Sequence, residues 1–223
     1  PRLSFFFNSH LDFFEEIAKF RAERRIWAKR MKNIYGAKSE RSWKLRFHTQ
    51  TAGCSLTAQQ PEINIARTGF QALAGVLGGT QSLHTNSMDE TLALPTEKAA
   101  EIALRTQQLI AFETGVANVV DPLGGSWFIE ELTDKIEDDA EQYFQEIENI
   151  GGVIPAIEQG YFQHEIARAA SGYQSKLDSN QRIMVGVNQF VKDDEEIDIP
   201  ILEIGTEAGA GQRQKLANMK NSR

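Results

Sequence analysis

The feature that most constrains the fold of this chain is an alternation between short apolar runs and longer amphipathic runs. The short runs have the length and residue types of strands, and the longer runs place apolar residues at helical spacing. Strands are predicted at residues 3–7, 43–49, 80–85, 116–120 and 182–187. Because each strand and its following helix occupy about 30–50 residues, the pattern is typical of βα units on a parallel sheet.

Capping and stop residues indicate where the helices begin and end. The first helix is predicted to follow Ser9 as its N-cap, since Asp12 completes an approximate capping box, and to end before Gly36. The second helix follows Pro61, and its apolar positions are Ile65, Ala66, Phe70, Leu73, Ala74 and Leu77. Later helices are predicted to end near Gly115, Gly151 and Gly172.

Four βα units make up about half of a (β/α)8 barrel, so we predict an α/β fold and half of a TIM barrel over residues 1–190. An open doubly wound sheet has the same alternation, and periodicity does not separate the two. Residues 191–223 differ in character, with a charge run at 193–196, Pro200 and three glycines from Gly205 to Gly211. This stretch is predicted to be a linker to a further domain, with a frayed tail as the alternative.

Charge and cysteine content exclude some classes of function. The chain carries 31 acidic and 24 basic residues, a net charge of −7, which argues against a nucleic-acid-binding protein. Its single cysteine, Cys54, cannot form an internal disulfide, so a reducing compartment such as the cytoplasm is expected. No apolar run has the length of a membrane span. The first residue is Pro1 and a strand follows at once, so we expect a segment of a longer protein.

Three polar clusters follow predicted strands, where barrel enzymes place their sites. The first comprises Arg46, His48, Gln50 and Gly53; the second Gln81, His84, Asn86, Asp89 and Glu90; the third Asp121, Gly124 and Gly125. The first could instead be the solvated face of an edge strand, and His84 could be a core histidine. Neither histidine has a metal-ligand spacing, so no metal site is predicted.

The residue types in these clusters suggest binding more than acid–base chemistry. Arginine, amides and glycines dominate, and few candidate acids and bases converge, as is typical where a cofactor performs the difficult chemistry. An unrelated barrel hydrolase that uses His48 or His84 is an alternative, but no nucleophile–base pair is visible.

Several long runs resemble the large subunits of the methylmalonyl-CoA mutase family. The first run covers residues 46–53 and 55–61, and the second covers residues 78–86, 89–90 and 93–96. The third and fourth are residues 121–126 and 185–188, and together the four runs extend the resemblance over nearly the whole chain. Two positions depart from it. Ile63-Asn64 stands where many relatives have two asparagines, and Asn8-Ser9-His10 is more similar to the branch that includes isobutyryl-CoA mutase.

The resemblance implies the C-terminal half of an acyl-CoA-binding barrel, with adenosylcobalamin across one mouth beneath a cobalamin-binding domain or small subunit. It implies an isomerase that rearranges an acyl-CoA by a radical mechanism, with methylmalonyl-CoA to succinyl-CoA as the expected reaction. Isobutyryl-CoA mutase and a non-catalytic half-barrel binding subunit are the alternatives.

The resemblance also implies roles for individual residues. The positions implied to contact the acyl-CoA are Arg2, Ser4, Arg46, Gln50 and Gln81. The positions implied to face adenosylcobalamin are Gly53, Asn86, Glu90, Ala93 and Leu94. The family's catalytic tyrosine and histidine would precede Pro1, and its cobalt-ligating histidine would follow Arg223, so no catalytic residue is assigned.

Overall fold

A computed structural model describes residues 3–195 and 199–222. The strands are β1 (Phe5–Ser9), β2 (Phe47–Thr51) and β3 (Ser82–His84). The helices are α1 (Phe13–Asn33), α2 (Glu40–Trp43), α3 (Ile63–Leu77), α4 (Glu97–Phe112), α5 (Trp127–Ile150), α6 (Val153–Glu158), α7 (Tyr161–Asp178) and α8 (Thr206–Asn221). Among these residues, no helix combines the length and apolarity that crossing a membrane requires.

The strands form one parallel sheet in the order β1-β2-β3. Phe5 pairs with Phe47, and Gln50 pairs with His84. In this register His48 and Gln50 of β2 each lie between a paired residue of β1 and a paired residue of β3. Along β2, Phe47, Thr49 and Thr51 are buried while His48 and Gln50 are half-buried. One face of the sheet therefore packs against helices, and the other is open. This establishes an α/β fold with parallel strands.

The core lies between α1 and the sheet. Phe20 is fully buried and stacks on Phe47, with ring centroids 5.4 Å apart, and Leu45 completes the buried cluster. Phe5, Phe7 and Trp27 pack around it. Gly78, just after α3, lies directly against Phe20, so that a β-carbon at this position would be 2.5 Å from Phe20 Cδ2. Each buried aromatic contributes about 2–3 kcal/mol of apolar burial, so this contact organises much of the fold.

A row of ion pairs, here called the charged seam, joins α1 to α5 and to Asp121 in the turn that precedes α5. Its basic members are Arg21, Arg25, Lys29 and Arg30, and its acidic members are Asp121, Glu130, Asp134, Glu137 and Glu141. The bond from Lys29 Nζ to Glu137 Oε1, for example, is 2.6 Å. Partly exposed pairs contribute little stability individually, so the main effect of the seam is to fix how the two helices are aligned.

Several predicted boundaries are wrong. Ser9 is not the N-cap of α1, because it ends β1 and its buried hydroxyl donates to the Gln71 carbonyl at 2.8 Å. Asp12 is the N-cap instead, and it accepts from the Glu15 amide. Gly172 does not end a helix but lies inside α7.

Two predicted strands are also absent from the described residues. Residues Val116–Asn118 form a 3₁₀ turn closed by the Asn118 amide on the Gly115 carbonyl at 3.0 Å, since alanine and asparagine favour strands weakly. Residues 182–187 form a turn with a single bridge from Val185 to Gln189. Asn188 holds this turn, because its side chain bonds Met184 N, Leu177 O and Arg182 O.

The segment predicted as a linker contains one helix. Helix α8 is exposed along its whole length, as expected for a stretch that makes few contacts with the sheet. Glu196, in the predicted charge run, lies outside the described residues. The boundary at residue 190 remains a prediction.

Glu23 of α1 makes stability depend on pH. Its Oε2 is buried and has no hydrogen-bond partner among residues 3–195 and 199–222, and burial raises the pKa of Glu23 from 4.5 to about 7. The folded state therefore holds this proton more tightly than the unfolded state, and the free energy of unfolding falls as pH rises from about 4.5 to about 7. We expect Glu23→Gln to stabilise the protein by about 2 kcal/mol above pH 7 and to have little effect near pH 4.5, measured by urea denaturation at several pH values.

The control for this experiment is Glu40→Gln, which removes a carboxylate from an exposed pair with Lys44. A stabilisation of Glu23→Gln that was equal at pH 5 and pH 8 would contradict the assignment.

Candidate functional site

The open face of the sheet carries the side chains that point away from the helices. They form rows across the three strands: Phe6, His48 and Ser82 in one row, and Asn8, Gln50 and His84 in the next. Ser4 and Arg46 precede the first row, and both are exposed. Arg46, His48 and Gln50 occupy alternate positions of the chain and share this face. His84 is exposed on the same face and is not a core histidine.

A cavity of about 470 Å³ lies at the amino-terminal edge of this face. It is lined by Ser4, Phe5, Phe6, Arg46, Phe47, His48, Gln81 and Ser82. His48 Nδ1 lies 2.8 Å from the Ser82 hydroxyl, and the His48 ring is 5.4 Å from the Phe6 ring. The structure thus brings together three of the residues predicted to contact acyl-CoA, Ser4, Arg46 and Gln81. Arg2 lies outside the described residues.

Gln81 already has main-chain partners. The Phe47 amide donates to its Oε1 at 2.7 Å, and its Nε2 donates to the Gly79 carbonyl at 2.7 Å. These bonds close the amino-terminal end of the β2–β3 pairing, where the strand ladder would otherwise leave the Phe47 amide without a partner. Gln81 therefore shapes the cavity, and one Nε2 hydrogen remains for a ligand.

A second polar cluster lies at the carboxyl ends of β2 and β3. Glu90 accepts from the Ser87 amide at 2.7 Å and from Asn86 Nδ2. Thr51, buried at the end of β2, donates to Asn86 Oδ1 at 2.5 Å and accepts from the Asn86 amide at 2.9 Å. A β-carbon at exposed Gly53 would lie 3.4 Å from Asn86 Nδ2. The structure thus brings together Gly53, Asn86 and Glu90, three residues predicted to face the cofactor.

The two remaining cofactor positions follow this cluster in a tight turn. The Ala93 amide donates to the Asp89 carbonyl at 3.1 Å, and Leu94 is half exposed. Buried Asp89 uses its Oδ2 to accept from the Thr96 amide and hydroxyl at 2.9 and 2.8 Å. Asp89 is therefore a structural residue that joins the turn to the start of α4.

The third predicted cluster does not join the other two. Asp121 follows no strand, and its carboxylate pairs with Arg21 in the charged seam. The Gly124 amide donates to the Asp121 carbonyl at 3.0 Å and closes a turn, and Gly125 follows with a positive φ of 82°, so both glycines serve this turn. Cys54 is exposed, and its Sγ lies 3.4 Å from His10 Nε2.

The sequence did not reveal the buried polar side of α3. Asn64, Arg67, Thr68 and Gln71 are all buried, whereas Phe70, predicted on the packed face, is 61% exposed. The signal lay in their spacing, because the four polar residues recur at the helical interval of a single face. Burial lowers the pKa of the Arg67 guanidinium.

The family model for methylmalonyl-CoA mutase matches residues 1–223. The 2-hydroxyisobutanoyl-CoA mutase large subunit of Aquincola tertiaricarbonis is 53% identical over 90% of the chain, which covers 36% of that protein.

Two methylmalonyl-CoA mutases match the chain along its whole length. The mitochondrial enzyme of Macaca fascicularis is 45% identical, and the large subunit of Porphyromonas gingivalis is 44% identical. The chain covers 30% and 31% of these two proteins, and thus spans about a third of the length of the relatives it matches. A match of this extent shows that the chain belongs to the methylmalonyl-CoA mutase family.

Proposed function

We propose that this chain is the C-terminal half of the acyl-CoA-binding (β/α)8 barrel of an adenosylcobalamin-dependent acyl-CoA mutase. The observation that carries the proposal is the open face of the sheet, which joins the Arg46 cavity at one edge to the Gly53–Asn86–Glu90 cluster at the other. Residues 191–223 would lead to a cobalamin-binding domain, or to the surface that meets a small subunit. The single cysteine supports a reducing compartment, and we propose the cytoplasm.

The acyl-CoA would lie along the open face. Arg46 and Gly53 are seven positions apart on extended chain, so they are separated by about 20 Å, a length suited to an elongated ligand. Arg46 makes no hydrogen bond or ion pair within the described residues, so its guanidinium is available to a phosphate, which it can bind in a bidentate way. Gln50, half-buried in the middle of the face, would donate to a carbonyl of the ligand arm.

The carboxyl-end cluster fits adenosylcobalamin in its chemistry. Gly53 lacks a side chain where a bulky, flat ring must approach the backbone. Glu90 and Asn86 can exchange hydrogen bonds with ribose hydroxyls and amides, because a carboxylate retains acceptor capacity beyond its two bonds to the chain. When bound, adenosylcobalamin supplies the radical chemistry of the rearrangement. The chain positions the substrate and keeps water from the reacting atoms.

The identity of the acyl group separates two candidate reactions. Whole-length similarity to methylmalonyl-CoA mutases supports methylmalonyl-CoA to succinyl-CoA as the first. The 53% identical relative named for 2-hydroxyisobutanoyl-CoA supports a branched hydroxyacyl-CoA as the second. Assaying the complete protein with methylmalonyl-CoA, isobutyryl-CoA and 2-hydroxyisobutanoyl-CoA distinguishes them. Cofactor-dependent turnover of none of the three would favour a non-catalytic binding subunit.

A variant of Glu90 tests the cofactor assignment. Glu90→Gln keeps the size of the side chain but removes its charge and one acceptor oxygen. We expect the dissociation constant for adenosylcobalamin, measured by absorbance titration of the complete protein, to rise about tenfold, with little change in CoA-ester affinity.

Glu101→Gln is the matched control, because Glu101 is an exposed carboxylate on α4 that pairs only with Arg105 among the described residues. Equal cobalamin affinity in the Glu90 and Glu101 variants would remove Glu90 from the proposed site.

A further inference from the structure

A buried network beneath the carboxyl-end cluster centres on Asn64 of α3. Asn64 Oδ1 accepts from the Thr57 amide at 3.0 Å and from Arg67 Nη1 at 2.8 Å. Asn64 Nδ2 donates to the carbonyls of Thr57 and Met88, both at 2.9 Å. All four hydrogen-bonding positions of the amide are therefore filled within the protein.

Arg67 determines which way the Asn64 amide is turned. Its Nη1 donates to Asn64 Oδ1 and to the Thr57 hydroxyl, each at 2.8 Å, so the oxygen of the amide must face the guanidinium. The NH₂ group is thereby directed at Met88. The second Arg67 terminal nitrogen, Nη2, donates to the Val185 carbonyl at 2.6 Å and ties the 182–190 turn to the same helix. Buried polar groups that are fully bonded in this way hold their segments rigidly.

The Met88 carbonyl, which accepts from Asn64 Nδ2, belongs to the loop that carries Glu90. Met88 lies between Ser87, whose amide bonds Glu90 Oε1, and Asp89, whose carboxylate accepts from Thr96, the N-cap of α4. Asn86, at the start of the loop, is fixed separately by Thr51. The Asn64 bond to Met88 is thus the contact that ties the middle of the loop to helix α3.

We infer that Asn64 is a positioning residue for the 86–90 loop, held in its orientation by Arg67, and that it sets where Glu90 and Asn86 meet the cofactor. The inference rests on the proposed function. Asn64 touches neither ligand itself, because it is fully buried beneath the loop.

The test is Asn64→Asp in the complete protein. Aspartate has the same shape and keeps both acceptor bonds, and its charge is compensated by Arg67, but it cannot donate to Met88 or Thr57. We expect the adenosylcobalamin dissociation constant to rise about tenfold and amide hydrogen exchange in residues 86–90 to accelerate. CoA-ester affinity should change less than about twofold, because the Arg46 cavity is at the other edge of the sheet.

Arg67→Lys supplies a second arm that does not depend on Asn64→Asp folding. Lysine keeps the charge but cannot bond Asn64, Thr57 and Val185 at the same time. We therefore expect amide hydrogen exchange to be faster in residues 86–90 and 182–190, and the loss of cobalamin affinity to be smaller than in Asn64→Asp. Unchanged exchange and unchanged cobalamin affinity in both variants would overturn the inference, as would equal weakening of cobalamin and CoA-ester binding. If the unmodified protein did not bind adenosylcobalamin, the proposed function would be wrong. Amide hydrogen exchange in residues 86–90 would still show whether Asn64 fixes this loop.

Discussion

If the proposed function holds, Arg46→Ala should raise the dissociation constant of the complete protein for a CoA ester about 10- to 100-fold, the range expected for the loss of a charge-assisted hydrogen bond. Arg46 lines the cavity at the amino-terminal edge and has no partner among the described residues, so little else in the fold depends on its charge. Stability and cobalamin affinity should therefore stay close to those of the unmodified protein. Isothermal titration with the CoA ester measures the effect directly.

Lys44→Ala is the control for Arg46→Ala. It removes the same charge two residues earlier, at exposed Lys44, which pairs with Glu40 on α2 and does not line the cavity. Arg46→Lys should show an intermediate loss, because an ammonium keeps the charge without the bidentate fork. If Arg46→Ala and Lys44→Ala changed CoA-ester affinity equally, Arg46 would be a solvated surface residue and the assignment of the cavity would be wrong.

Gly78→Ala should destabilise the protein by about 1–3 kcal/mol through overpacking. The backbone at Gly78 has ordinary helical angles, so the cost does not come from the main chain. It comes from Phe20, whose Cδ2 and Cβ would lie 2.5 and 2.8 Å from the new methyl group. Phe20 cannot move aside easily, because its ring is fully buried and stacked on Phe47.

Gly172→Ala makes the matched comparison for this overpacking. Gly172 lies inside α7, and nothing comes within 4 Å of a β-carbon built there. The same substitution should therefore stabilise the protein by about 0.5–1 kcal/mol, the helix-propensity difference between glycine and alanine. Urea denaturation of both variants should give changes of opposite sign. A neutral Gly78→Ala would mean that the core around Phe20 can rearrange.

Three of the five predicted strands form, at 5–9, 47–51 and 82–84 in place of 3–7, 43–49 and 80–85, and each has a partner in the sheet. In β2 the period-two alternation separated the faces correctly, because Phe47 and Thr49 meet helices while His48 and Gln50 do not, but the strand begins at Phe47 since Trp43 belongs to α2. The strand predicted at residues 116–120 is wrong, because an apolar run does not reveal whether a neighbouring strand will form hydrogen bonds with it. In their place, a local bond from Asn118 to Gly115 closes a turn.

The candidate site was predictable where it depended on strand ends and less so where it depended on helix burial. Gly53, Asn86 and Glu90 meet because parallel strands bring their carboxyl ends to one edge. The face of α3 was misassigned because polarity normally marks the exposed side of a helix. Here Asn64 and Arg67 are buried because the Asn64 amide and both terminal nitrogens of Arg67 have partners. The spacing marked the face, but the partners at Met88 and Val185 lie far along the chain and are brought together only by the fold.

The Asn64–Arg67 network has a consequence for how such a protein can diverge. Three of its outer acceptors are main-chain carbonyls, those of Thr57, Met88 and Val185, and every residue type carries this group. The side chains at 88 and 185 can therefore change among homologues, or in a directed-evolution library, without removing a bond from the network. Positions 64 and 67 have no such freedom. We therefore expect substitutions at positions 64 and 67 of the helix to be tolerated poorly, and substitutions at positions 88 and 185 of the loops to be tolerated well.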